Sequence, residues 1–230
     1  MNKVKAMINE VEPSRGDLFL YGDIADSSWW DEDITPKEVI EAVSSLGNIN
    51  ELTVHINSNG GDVFAGIAIM NYLNSLGIQV NVIISALAAS IASVIACGLN
   101  GKLGMYDTSM MMIHNPWTVC MGNSGELRAR ADELDKINDS TVVATYVKRA
   151  SIDEEQIRSE MDEEKWLSAQ ECLDRGLCDY IINDENTTED FYKSRVLNSF
   201  KHTPKEKFKN SNKKDDSEEI EKLKAVVDLI

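Results

Sequence analysis

The run ALAASIASVIACG (residues 86–98) holds two hydroxyls, Ser90 and Ser93, in an otherwise apolar stretch. A serine there either packs tightly or serves as a nucleophile, and the second use needs a base within reach. Three histidines are available: His55, His114 and His202. His114 ends the apolar segment TSMMMIHN (108–115) and precedes Pro116, whose ring stiffens the loop. An imidazole at one strand end, beside a serine at the next, has the arrangement that proton abstraction from a hydroxyl requires. Ser90 falls near the first turn of the helix expected over 86–98, where free N–H groups and the positive dipole end favour a developing oxyanion. Ser93 lies a turn deeper and is expected to pack. His55 falls mid-strand, in a sheet-face role, and His202 lies in a polar tail.

Two further groups complete this chemistry. An acid that orients the imidazole could come from SEMDEEKWLSA (159–169), as Asp162, Glu163 or Glu164, and the residues alone leave the choice open. In NSNGGD (57–62) the pair Gly60-Gly61 makes a tight strand-to-helix turn. Lacking a side chain, Gly61 could also turn its backbone N–H toward a ligand oxygen.

These residues need a scaffold that gathers them. DLFLYGDI (17–24), ELTVHIN (51–57), IQVNVIIS (78–85), TSMMMIHN (108–115) and GLCDYII (176–182) read as strands. Thr35, Pro36 and Glu38 start a helix with a capping box, and Val39, Ile40, Val43 and Leu46 mark its inner face. VFAGIAIMNYLNSLG (63–77) and residues 86–98 supply two more helices. Alternation of strand and helix implies an α/β fold of stacked βαβ units with a mostly parallel sheet. Three junctions (NSNGGD, SALAAS and HNP) then share the carboxyl edge of that sheet, where ligands gather. Residues 125–149 read as one protruding helix of about 37 Å. Its narrow stripe of Leu127, Ala131, Leu134 and Ile137 suits packing on another subunit. Capping boxes are expected at Ser151/Glu154 and Ser168/Glu171.

Composition narrows the partners. The 230 residues carry a formal charge of −16, which disfavours nucleic acid. All of the excess lies before residue 185, with 29 acidic against 13 basic residues, whereas 185–230 carries ten of each. The chain thus divides into a domain over 1–184 and a charged linker or tail over 185–230, in which EEIEKLKAVVDLI could begin a short helix. The four cysteines form no metal-binding pattern and read as reduced thiols. Neither a secretory signal nor a convincing membrane span is expected.

Four motifs in order, HINSNGGDVFAGIAI, ALAASIAS, MMIHNP and EEKWLSAQECLDRGLCD, resemble the Clp protease proteolytic subunit family over residues 17–183. The resemblance implies the ClpP/crotonase-like fold with a handle helix at 125–149, and serine endopeptidase activity with no metal or other cofactor. It makes Ser90 the nucleophile, His114 the general base, and the backbone N–H groups of Gly61 and Ile91 the oxyanion hole. Register against WLSA puts Glu164 where the family has an aspartate, with Asp162 the alternative acid. Asn59 stands where the family usually has proline. The implied partners are other copies of the chain, in a heptameric ring or double ring, and polypeptide substrates. A short segment before the first strand leaves an unfoldase ATPase open. That short segment, EEKW and the tail resemble the phage branch, the head maturation proteases that process capsid or scaffold proteins. The implied setting is the cytoplasm of a bacterium or infected host. Two alternatives stand beside this reading: a catalytically silent assembly protein, and a crotonase-like acyl-CoA enzyme.

Overall fold

The computed structural model of the chain describes residues 4–9, 12, 14–27 and 33–183. The elements run β1 (Val4–Ile8), β2 (Arg15–Tyr21), β3 (Asp23–Ile24), β4 (Asp33–Ile34), α1 (Pro36–Ser44), β5 (Glu51–Ser58), α2 (Val63–Ser75), β6 (Gln79–Ala89), α3 (Ile91–Gly98), β7 (Leu103–Tyr106) and β8 (Met110–Ile113). Then come α4 (Ser124–Ile137), a π turn over Asn138–Val143, α5 (Ala144–Arg149), α6 (Glu154–Asp162), β9 (Lys165–Ser168), α7 (Ala169–Asp174) and β10 (Tyr180–Ile182). The expectations for the tail, its helix and His202 lie outside the described residues.

The main sheet has the order β1-β2-β5-β6-β7-β10 and is parallel except where β1 returns along β2. The eleven-residue β6 is its axis. Val82–Ile84 pair with β7, and further on Leu87–Ala89 pair with β8, which carries β9 antiparallel on its outer side. The chain therefore builds the α/β, mostly parallel Clp-type architecture that its motifs imply.

Buried β-branched and leucine residues (Leu18, Leu52, Val54, Val82, Ile84) fill the sheet, and Ile69, Leu73, Ile95 and Tyr146 cover it from the helices. Each large side chain so buried contributes about 1.5–3 kcal/mol before entropy is charged against it. Helix α3 is buried at every residue from Ile91 to Cys97, because α2 and α5 flank it above the sheet.

Several boundaries differ from the sequence expectation. Residues 86–89 are strand rather than helix: alanine tolerates both, and pairing to β5 on one side and β8 on the other decides for β. Strands β1, β7 and β9 were not legible, being short or half-exposed. The segments 108–115 and 176–182 shrink to their central or final residues. On α1 the capping box forms as read, but Ile40 is exposed, since it lies about 100° around the helix from Val39 and about 60° from Val43, on the outer edge of the buried face. Before α6, Asp153 rather than Ser151 is the N-cap, with its Oδ1 accepting from the Gln156 N–H at 2.8 Å. Ser168 and Glu171 do form their box before α7.

The helix read over 125–149 is broken by the π turn. Among the described residues, α4 buries none of its side chains, and Leu127 and Ala131 are exposed. The extra residue of a π turn rotates the following face, so that Val142, Val143 and Tyr146 enter the core after an arm that touches little of its own subunit.

Candidate active site

The carboxyl ends of β5, β6 and β8 converge as the fold class requires. At the end of β6 the backbone turns abruptly into α3, and Ser90 takes φ 55° and ψ −130° at the N-cap position. A non-glycine residue at positive φ stores strain that surrounding structure must hold. Here the Ser90 N–H donates to the Met112 carbonyl at 3.0 Å, pinning the turn to β8. An N-cap serine ordinarily turns its oxygen to the helix amides. The Ser90 Oγ instead lies 2.8 Å from His114 Nε2. Ser90 thus lies next to the first helical turn as expected, but at the junction itself, because the helix starts at Ile91 and not at residue 86. His114 is 8% exposed, directly past the end of β8.

The glycine pair does two separate things. Gly60, at φ 90°, lies so close to the junction that a Cβ would stand 2.7 Å from the Ala89 oxygen and the Ser90 Cβ. Gly61, at φ 143°, forms a parallel bridge with Ile24. In that bridge Ile24 N–H donates to the Gly60 oxygen at 2.7 Å, and Asp62 N–H donates to the Ile24 oxygen at 2.8 Å. A side chain at Gly61 would collide with the Ile24 carbonyl oxygen. Ile91 opens α3, so its N–H is among the four that have no acceptor within the helix.

The three candidate acids differ in burial and in partners. In the antiparallel β8–β9 pair Ile113 opposes Lys165, and His114 and Glu164 are the residues directly beyond that end of the pairing. Glu164 is 8% exposed and takes φ 52°, a left-handed residue that reverses the chain from α6 into β9. Its N–H donates to the Met161 oxygen, and its Oε1 accepts from Trp166 Nε1 at 3.4 Å. Asp162 is exposed, and its carboxylate accepts from Asn115 Nδ2 at 2.6 Å, while the Asn115 oxygen accepts from Asn138 Nδ2 at 2.8 Å. Glu163 pairs with Lys165 at the surface. The role of Asn138 was not legible, because nothing in the local pattern links a helical asparagine to a loop 23 positions earlier.

Beside the Ser90–His114 pair a narrow cavity is lined by Val63, Val94, Pro116, Val142 and Tyr146. His55 stands apart, with Nε2 at 2.9 Å from Asp17 and its ring stacked on Phe19. The buried thiols are poor nucleophiles: burial pushes Cys97 up to about 12 and Cys178 up to about 11, and raises Cys172 well above the usual range. Serine, not cysteine, is the reactive group these surroundings favour.

A mostly parallel α/β sheet here presents a strained, half-buried serine against a strand-end histidine, the arrangement found where a serine serves as nucleophile. The chain belongs to the Clp protease family, whose model matches residues 17–185. It is similar to the ATP-dependent Clp protease proteolytic subunits of Deinococcus radiodurans (32% identity, covering 58% of this chain and 65% of the relative) and Bacteroides thetaiotaomicron (28%, covering 57% and 60%). The subunit of Streptococcus agalactiae is 30% identical over 60% of this chain and 72% of its own. The chain thus spans less than two thirds of the length of the first two.

Proposed function

We propose that the chain is a serine endopeptidase that hydrolyses peptide bonds within an assembly of its own copies. The observation that carries this reading is the 2.8 Å separation of Ser90 Oγ and His114 Nε2. His114 takes the Ser90 proton as the oxygen attacks the peptide carbonyl, then returns it to the leaving amine. The N–H groups of Gly61 and Ile91 receive the charge that develops on the carbonyl oxygen. Water, activated by the same imidazole, releases the acyl group from Ser90. Glu164 orients the imidazole and stabilises its charged form. Val63, Val94 and Val142 offer an apolar wall to a substrate side chain. A buried acid just beyond the β8–β9 pairing, at the same end as His114, favours an active enzyme over a silent shell, and the serine–histidine pair speaks against enolate chemistry on acyl-CoA.

Assembly runs through α4 and the loop before it. Trp117, Val119 and Met121 are 56%, 84% and 97% exposed, an apolar surface that a second copy would cover. A heptameric ring or double ring encloses the site, and unfolded polypeptide enters it. Folded substrates need an unfolding engine, the kind of partner that the words "ATP-dependent" in the relatives' names imply. The narrower reading, processing of capsid or scaffold proteins in an infected cell's cytoplasm, rests on the EEKW segment. Native mass spectrometry is expected to find a closed ring that degrades an unfolded protein. A monomer without turnover would overturn the proposal.

Gly61→Ala separates the oxyanion amide from the rest of the machinery. The new Cβ meets the Ile24 oxygen and displaces the amide, so kcat for a peptide is expected to fall about 10²–10³-fold. Steady-state kinetics on protein with an unchanged circular dichroism spectrum checks this, and wild-type kcat would remove Gly61 from the site.

A further inference from the structure

We propose that Ser93 and Tyr146 are positioning residues: a buried relay in which the Tyr146 phenol donates to the Ser93 hydroxyl, and Ser93 clamps the nucleophile's backbone to the strand that carries the base. This rests on the reading of Ser90 as the nucleophile.

The Ser93 Oγ has three oxygens around it: the Ser90 carbonyl at 2.6 Å, the Met112 carbonyl at 2.9 Å and the Tyr146 hydroxyl at 2.7 Å. A serine hydroxyl has one proton, and a carbonyl can only accept. The Ser93 proton is therefore shared between the two carbonyls. The third contact then has a single solution, with the Tyr146 O–H as donor. Both residues are fully buried, so no water stands in for either partner. Burial also holds the phenol far above its ordinary range, which keeps its proton in place at every working pH.

The two carbonyls are the ones whose relative position matters most. One belongs to Ser90, the strained residue at φ 55°. The other belongs to Met112, two residues before His114, and it also accepts the Ser90 N–H. A single hydroxyl thus ties the turn that aims the Ser90 Oγ to the strand that places the imidazole. Tyr146 brings in a third element, because α5 follows the π turn and the exposed arm of α4. The Ser90–His114 distance is in this way referred to the helix behind it as well as to its own strands.

The test is the phosphonylation of Ser90 by a fluorophosphonate, in which the Oγ–P bond forms as fluoride leaves, resolved into a maximal rate and a half-saturation concentration. Tyr146→Phe keeps the buried ring and removes only the donor, so it preserves packing. It is expected to lower the maximal rate about tenfold, and Ser93→Ala about a hundredfold, with half-saturation unchanged in both. Peptide hydrolysis should show the same split, with kcat lower and KM constant. In the double variant the loss should equal that of Ser93→Ala alone, because the phenol acts through Ser93. A wild-type rate of phosphonylation in folded Tyr146→Phe, or losses that multiply in the double variant, would overturn the relay. An unmodified Ser90 in the native chain would instead overturn the nucleophile reading beneath it, a result that cannot be confused with the first.

Discussion

Ser90→Ala is expected to abolish covalent labelling by a fluorophosphonate and to lower peptide turnover about 10⁶-fold, the scale of loss when the nucleophile of a serine protease is removed. The substitution is clean for three structural reasons. Alanine keeps the Cβ already accommodated at φ 55°, so no strain is added. The Ser90 Oγ points to His114 rather than to the helix amides, so no cap is lost. The N–H that bonds the Met112 oxygen remains. Thermal stability should therefore change by no more than about 1 kcal/mol. Turnover that persists in Ser90→Ala at the native rate would remove Ser90 from the mechanism, and labelling retained on the variant would place the nucleophile elsewhere.

The acid carries the second large effect. Glu164→Gln is expected to lower kcat about 10⁴-fold, as loss of the charge behind the imidazole does in serine proteases, where the wrong tautomer then prevails. Asp162→Asn should cost about tenfold or less, since it alters only the hydrogen bond to Asn115, next to the base. Steady-state kinetics on the two variants gives the ranking directly, and the reverse order would assign the acid to Asp162. Glu164→Asp is informative as well. Aspartate tolerates the left-handed turn but carries its carboxylate one methylene nearer the backbone, so it should recover only part of the native rate.

Interactions between near neighbours were legible from the amino-acid order. The boxes at Thr35/Glu38 and Ser168/Glu171 form as read, because both partners sit three positions apart and need nothing from the rest of the chain. The box expected at Ser151/Glu154 does not form, because Asp153 competes for the same helix start and takes it. Ser90 and His114 were legible for a related reason: an isolated polar group in an apolar run is costly unless it has a use, and each ends an element on the same sheet edge.

Long-range pairing decided the rest. ALAA is strand because β5 and β8 flank it, a fact absent from its own composition. Glu164 is buried while Asp162 and Glu163 are exposed, a difference that depends on packing between segments about fifty positions apart. Ser93 reads locally as a packing residue, and its three oxygen partners come from α3's own start, from β8 and from α5. By itself the sequence determined the residue types, the capped helices and the order of the βαβ units, which depend on contacts a few positions apart. The tertiary structure alone decided which of the three acids is buried, where β6 gives way to α3, and what the second serine holds. Each of these turns on directional bonds between distant strands and helices, and their geometry exists only once the sheet has closed.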